Sequence, residues 1–406
     1  MQPDFAFRLR SYAAVLVRVG LNLQRGQRLL IAEPYELQGV ARSAEVIIEA
    51  VRAAAVEAGC PAVEVIWGDG PRLREYALNK DWRAFVQMVG GNARRMQASL
   101  QNKDALLFLP GCQPNLFDGI PAAQVTELRR ISWEHFGPIA QQLVRGETNW
   151  TAAPAPSPAW AHAVFADLPS ERRLAALWDV VLKACRADEP DPITSWQTHL
   201  QVLQRYRDEL NARCLKSVRY QGEGTDLTVT LPPEHQWCTA RLVTKSGVPF
   251  VANLPTEEVF TLPHRDSAEG QVRVSRPINY GGAVIDGIEL QFRSGVVVHA
   301  SATSNDALLQ QLLATDDGAS RLGEVAIVGA NPGWASVSTP TPVADRDIGD
   351  HLRGRLFHHT LLDENASNHI ALGEAYAFCL GQPDPAAMNR SLVHVDLPLD
   401  ARVTLA

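Results

Sequence analysis

What this chain lacks narrows it first. Its six cysteines, Cys60, Cys112, Cys185, Cys214, Cys238 and Cys379, are scattered, and none forms a Cys-x-x-Cys pair. Such spacing builds neither a disulfide framework nor a zinc knuckle, so reduced thiols in a cytoplasmic protein are expected. Neither Gly-x-Gly-x-x-Gly nor Gly-x-x-x-x-Gly-Lys-[Ser/Thr] occurs at a strand–helix junction, which excludes a dinucleotide or P-loop site. The Gly-x-Gly of "GEGTDLTVTL" (222–231) runs on into a strand and reads as a turn. No stretch approaches the ~20 apolar residues that span a bilayer. The N-terminal "MQPDFAFRLRSYAAVLVRVGLNL" is broken by Arg8, Arg10 and Arg18 before a signal-type apolar core develops. Positive charge is in deficit as well. A net charge of −7 offers nothing to nucleic acid or an anionic membrane.

What is present describes an ordinary globular protein, with 46% hydrophobic and 20% charged residues. At 406 residues the chain is too long for one simple core, and two domains are expected. The first third alternates apolar runs with helical periodicity. "GQRLLIAE" (26–33), "PAVEVIWGD" and "KDALLFLPG" (103–111) read as strands, and "ELQGVARSAEVIIEAVRAAAVEAGC" (36–60) reads as a helix that Gly59 terminates. That rhythm predicts an open α/β sheet. The prolines of "NWTAAPAPSPAWA" (149–161) predict a linker without regular structure. A helix over 195–215 then leads into mixed strands and helices, including "SNDALLQQLLAT" and "LGEVAIVG". The expected fold class is therefore α/β. An N-terminal open α/β domain, residues 1–215 with the proline-rich linker, precedes a mixed α+β domain, residues 216–406.

Chemistry concentrates in the second half. In "NLPTEEVFTLPHRD" (253–266), Glu257 and Glu258 adjoin an apolar run bracketed by prolines, where carboxylates need a cation, a positioned proton or water. His394 and Asp396 in "LVHVDLPLD" lie two apart on a strand-like run and share a face. In "LLDENASNHIALGEAYAF", His369 and Tyr376 are seven apart, which places both on one face of a helix if this segment is helical. Glu324 opens the apolar strand of "RLGEVAIVG". Hard and borderline divalent cations take such carboxylates and neutral imidazoles, and a catalytic site leaves a position for water.

Each feature also has a plainer reading. A His-x-Asp on a strand is often a surface pair, and "DEN" (363–365) is in the first place a capping segment for a helix beginning there. Glu324 is either a ligand or an exposed strand residue. His264 either receives a substrate carboxylate or belongs to a salt-bridged loop with Arg265 and Asp266. His358 and His359 point to opposite faces of any strand and read as structural.

Taken in order, "NLPTEEVFTLPHRDSAEG", "RLGEVAIVG", "TLLDENASNHIALGEAY" and "HVD" resemble the thermophilic, aminopeptidase T-like metalloaminopeptidases. "YAAVLVRVGLNLQRGQRLLI", "PAPSPAWAHAVFADLP" and "GEGTDLTVTLP" extend the resemblance over nearly the whole chain. It implies a metal-dependent aminopeptidase that removes N-terminal residues through a metal-bridging hydroxide. The implied ligands of two divalent metal ions (zinc, cobalt, manganese or magnesium) are Glu258, Glu324, Glu364, His369, His394 and Asp396. Tyr376 would line or complete the site. Glu257 would be the proton acceptor or, alternatively, a residue that orients a ligand. Peptides with a free N-terminus are the implied substrates and a homodimer the implied assembly.

Two departures stand out. The connection "GANPGWASVSTPTPVADRDIGDHLRGRLFHHT" (329–360), with three prolines and four glycines, is longer than the family pattern, and only ten residues follow Asp396. The competing activity is a mononuclear iron-dependent ring-cleaving dioxygenase of the dihydroxypyridine type. It would need only His369, His394 and Asp396, and leaves Glu258, Glu324 and Glu364 without a task. A non-catalytic peptide-binding protein would require a broken ligand set, and none of the six positions is broken.

Overall fold

The structure is a computed structural model that describes residues 4–34, 38–111, 113–114, 116–280, 283–328, 355–382 and 384–406. The long connection expected over 329–360 lies, up to residue 354, outside the described residues. By contact the chain forms two compact units, residues 1–199 with 240–255, and residues 200–239 with 256–406. A segment beyond residue 216 thus returns to the first unit.

In the first unit four parallel strands lie in the order Val63–Val65, Leu29–Ala32, Ala105–Phe108, Trp150–Ala152. Every residue of Leu29–Ala32 and Ala105–Phe108 is buried, as expected where helices cover both faces of a parallel sheet. The helix Glu45–Glu57 turns Ile47, Ile48, Val51 and Ala55 inward and stops at Ala58, with Gly59 at φ +86°. The proline-rich stretch is more ordered than its composition suggests. Trp150–Ala152 completes the sheet at its edge, before the prolines begin. Ser157 then caps the helix Pro158–Val164, its side chain accepting from the Trp160 amide, and Pro158 takes the first helical position, where its missing N–H costs nothing.

The second unit is built on two antiparallel sheets. Six strands run in the order Val296–Ser301, Glu289–Arg293, Glu269–Arg273, Thr225–Thr230, Ser217–Gly222, Arg402–Leu405. Thr225–Thr230 alternates strictly between buried and exposed, and Glu223 and Gly224 form the turn before it. The other sheet orders His394–Leu399, Asn368–Gly373, Leu322–Val328 and Glu258–Thr261. Val218, Leu227, Val229, Val272 and Leu290 of the larger sheet share one core with Val259, Val325, Ile327, Ile370, Leu372, Leu397 and Leu399 of the smaller.

Two local expectations are corrected here. His369 and Tyr376 do not share a helical face. His369 sits in the strand Asn368–Gly373, whose six residues are all buried, and Tyr376 follows in a loop. A fully buried strand loses the alternation that marks half-exposed ones, so "NHIALG" carries no period-two signal. Likewise "DEN" does not open a helix. Asp363 closes the single turn Thr360–Asp363, and Glu364–Ala366 continues as a 3-10 turn. The five described cysteines, Cys60, Cys185, Cys214, Cys238 and Cys379, are free thiols. No helix among the described residues is long and apolar enough to cross a membrane.

Candidate metal centre

The smaller sheet explains how residues far apart in sequence meet. Val259, Val325, Ile327, Ile370, Leu397 and Leu399 point into the core between the sheets. Alternation along each strand therefore sends Glu258, Glu324, His369, His394 and Asp396 to the opposite face. Register does the rest. Glu324 pairs with Ala371, and Ala371 with Asp396, so the two carboxylates flank a single methyl group across three strands. Ala326 pairs with His369, Val328 with Glu258, and Gly373 with His394. At Gly373 φ is +102°, and a Cβ would come 2.0 Å from the Val393 carbonyl oxygen, so only glycine allows this close approach.

The donor atoms form two groups, Glu258 with Glu324 and His369, and Glu324 with His394 and Asp396, each with its atoms within 4.8 Å of one another. His369 Nε2 lies 3.1 Å from Glu258 Oε2 and 3.4 Å from Glu324 Oε1. His394 Nε2 lies 3.7 Å from Glu324 Oε2 and 3.4 Å from Asp396 Oδ1. One carboxylate, Glu324, thus turns one oxygen to each group. Glu364, also buried, stands close enough to Asp396 to donate a hydrogen bond to it. Tyr376 packs against His394 with ring centroids 5.0 Å apart and stacks on Phe378 at 5.2 Å.

Charge makes this cluster costly. Burial raises the pKa of Glu324, although His369 opposes it, and burial followed by repulsion from Glu258 and Asp396 pushes Glu364 well above the usual carboxylate range. Burial disfavours charge on the histidines, yet Glu258 and Glu324 drive His369 well above its ordinary value. Asp396 and Glu324 take His394 to about 9. Asp396 is lowered, because contact with His394 outweighs its own burial. Burial and the surrounding carboxylates push the Tyr376 phenol well above 10, so it keeps its proton.

The residues fit a divalent metal. Among the described residues, Glu258 Oε2 is buried and meets no polar group in hydrogen-bonding geometry, the His369 Nε2 at 3.1 Å being close but poorly aligned. Four carboxylates and two imidazoles, without a thiolate, make a donor set for hard or borderline cations. The histidines are held as ligands usually are: His394 Nδ1 lies 2.8 Å from the Glu374 carbonyl oxygen and His369 Nδ1 3.4 Å from that of Ser367, leaving both Nε2 atoms to the site.

Residues 5–404 match the family of thermophilic metalloproteases, M29. The chain belongs to that family. Aminopeptidase T of Thermus thermophilus is 36% identical over 401 residues, 97% of this chain and 92% of its own length. Aminopeptidase AmpS of Bacillus subtilis is 33% identical over 408 residues, 98% and 94% of the two chains. The structure of wild-type AmpT from Thermus thermophilus superposes with a TM-score of 0.84 at 32% identity, covering 99% of this M29 chain and 98% of its own. A 2,5-dihydroxypyridine dioxygenase from Pseudomonas putida reaches a TM-score of 0.45 at 14% identity, too little to carry an argument. The resemblance and the α/β fold class expected from sequence both hold.

The structure gathers Glu258, Glu324, His369, His394 and Asp396 on one face, with Glu364 and Tyr376 beside them. Glu257 immediately precedes the strand Glu258–Thr261 and is half-buried. Sequence reasoning missed Ala371, whose small side chain leaves open the space in which Glu324 and Asp396 approach each other, since an alanine in an apolar run carries no mark. It also read Asn365 only as part of a cap.

Proposed function

We propose that this M29 member acts as an aminopeptidase with two divalent cations, one held by each donor group. The carrying observation is the Glu324 carboxylate, which turns an oxygen to both groups. Glu258 and His369 would complete one site, and His394 and Asp396 the other, with Glu364 beside Asp396. When bound, the cations supply Lewis acidity and lower the pKa of a coordinated water. Four carboxylates balance the charge of two such ions.

The chain's own residues do the rest. Glu257, next to a ligand yet not drawn into either group, accepts the proton of the attacking water and returns it to the leaving amine. Tyr376, whose phenol beside His394 carries an O–H, donates a hydrogen bond to the oxygen that gains negative charge. The face is rich in carboxylates and receives the free α-amino group of a peptide. The enzyme works as a homodimer, a reading that rests on family resemblance and that a monomeric mass by light scattering at micromolar concentration would overturn.

The test is hydrolysis of a panel of amino-acid arylamides and their N-acetylated counterparts. Metal-stripped protein is used, with zinc, cobalt, manganese and magnesium restored in turn. Turnover of the free amines alone, and only with metal, is expected. Equal rates on blocked and free substrates would sink the exopeptidase reading.

A further inference from the structure

We infer that Asn365 is a positioning residue that couples Glu257 to the ligand Glu364. The inference rests on the proposed roles of those two residues. Asn365 is fully buried in the turn Glu364–Ala366. Its Oδ1 accepts a hydrogen bond from the backbone N–H of Glu257 at 2.6 Å, across 108 residues of chain. Its Nδ2 donates to the Leu361 carbonyl oxygen at 2.8 Å and lies 3.4 Å from Glu364 Oε1.

This arrangement uses both ends of one amide. Among the described residues the ladder of the strand Glu258–Thr261 ends at the Glu258–Val328 pair, so the Glu257 N–H falls outside it. A half-buried donor there needs an acceptor, and Asn365 supplies it. The bond pins the backbone at Glu257, and with it the direction in which the carboxylate leaves the chain. The other end of the amide faces two acceptors, which fixes its orientation. Reversing it would set Nδ2 against an N–H and Oδ1 against a carbonyl and a carboxylate. Aspartate is excluded for the same reason, since its second oxygen would face Glu364 and the Leu361 carbonyl. Asn365 therefore holds the proton acceptor and a ligand carboxylate in one frame, where errors on the order of 1 Å cost as much as ~100-fold in rate.

A double-mutant cycle tests this. In Asn365→Ala, kcat should fall by about tenfold to 100-fold with KM nearly unchanged. In the metal-stripped protein, zinc affinity, read by competition with a chromophoric chelator, should weaken by roughly tenfold or more because Glu364 loses its partner. In a Glu257→Gln background, where the base is already lost, Asn365→Ala should lower kcat little further. Losses that multiply in the double variant would mean that Asn365 acts independently of Glu257, and would overturn the inference. Unchanged kcat and unchanged zinc affinity in Asn365→Ala would do so as well. Full activity in Glu257→Gln alone would instead remove the base assignment under Proposed function. If Asn365→Ala fails to fold, Asn365→Ser, which is too short to span both contacts, enters the same cycle.

Discussion

At the scale of single residues, Glu257 and Glu258 are neighbours with different environments. Glu258 is buried among donor atoms, with His369 Nε2 3.1 Å from its Oε2, whereas Glu257 is half-buried and tied through its backbone to Asn365. Substitution should separate them. Glu257→Gln is expected to keep the metal content of the parent and lose about 100-fold to 10,000-fold in kcat, because an amide cannot accept the proton. Glu258→Gln should lose metal together with activity. Metal analysis beside steady-state kinetics distinguishes the two, and equal metal loss would make Glu257 a ligand or a ligand's support.

Elements set the second scale. The centre is one face of an antiparallel sheet, and its opening depends on what stands between the donors. Ala371 pairs with both Glu324 and Asp396, so a longer side chain there enters the space between them. Ala371→Leu should abolish metal binding and hydrolysis while costing the fold no more than about 1–3 kcal/mol. A variant that retains full metal content would show that the donors do not converge above this residue.

The first unit offers an independent check on helix packing. Arg8 of the helix Phe5–Val15 bonds Asp179 Oδ1 of the helix Ser170–Ala184 at 2.9 Å, and Lys183, one turn further along that same helix, reaches Oδ2 at 2.8 Å. Burial opposes the charge on Asp179, but Lys183 and Arg8 outweigh it and hold its pKa below the usual value. A lowered folded-state pKa means stability present above the unfolded pKa of about 4 and lost as pH falls through the folded one. Asp179→Asn should therefore cost about 1 kcal/mol at neutral pH, after discounting for solvent screening at a third-exposed group. The deficit should shrink toward zero in strong acid. Denaturant melts of both proteins at several pH values give the comparison, and a pH-independent difference would contradict it.

For the whole molecule, the candidate metal centre and the fold share one sheet. Glu258, Glu324 and Glu364 are each less than a tenth exposed, so without metal the cluster must compensate its buried carboxylates with protons, at a cost that a bound cation relieves. Chelation should lower the thermal midpoint by roughly 3–6 °C, as expected for one or two ions each held about 100-fold above its dissociation constant. Calorimetry before and after metal is restored reads the shift. An unchanged midpoint in protein verified to be metal-free would argue against a centre built into the core.

Much was settled by the sequence alone. Apolar runs alternating with helical periodicity in the first third pointed to an open α/β sheet, and the structure adds that its strands are parallel. The candidate donors were legible chiefly through the resemblance of their motifs to a known family, while local spacing alone offered only suggestive pairs such as His394 and Asp396, two apart on one strand. Their convergence was not. Glu258, Glu324, His369 and Asp396 come from four strands whose order and register arise only when the sheet packs its other face against the six-stranded one. The buried run around His369 passed for a helix, since complete burial erases the alternation that would have identified it. The opening beside Ala371 and the reach of Asn365 to the Glu257 amide belong to tertiary structure alone. Both depend on distances between segments that no local pattern encodes.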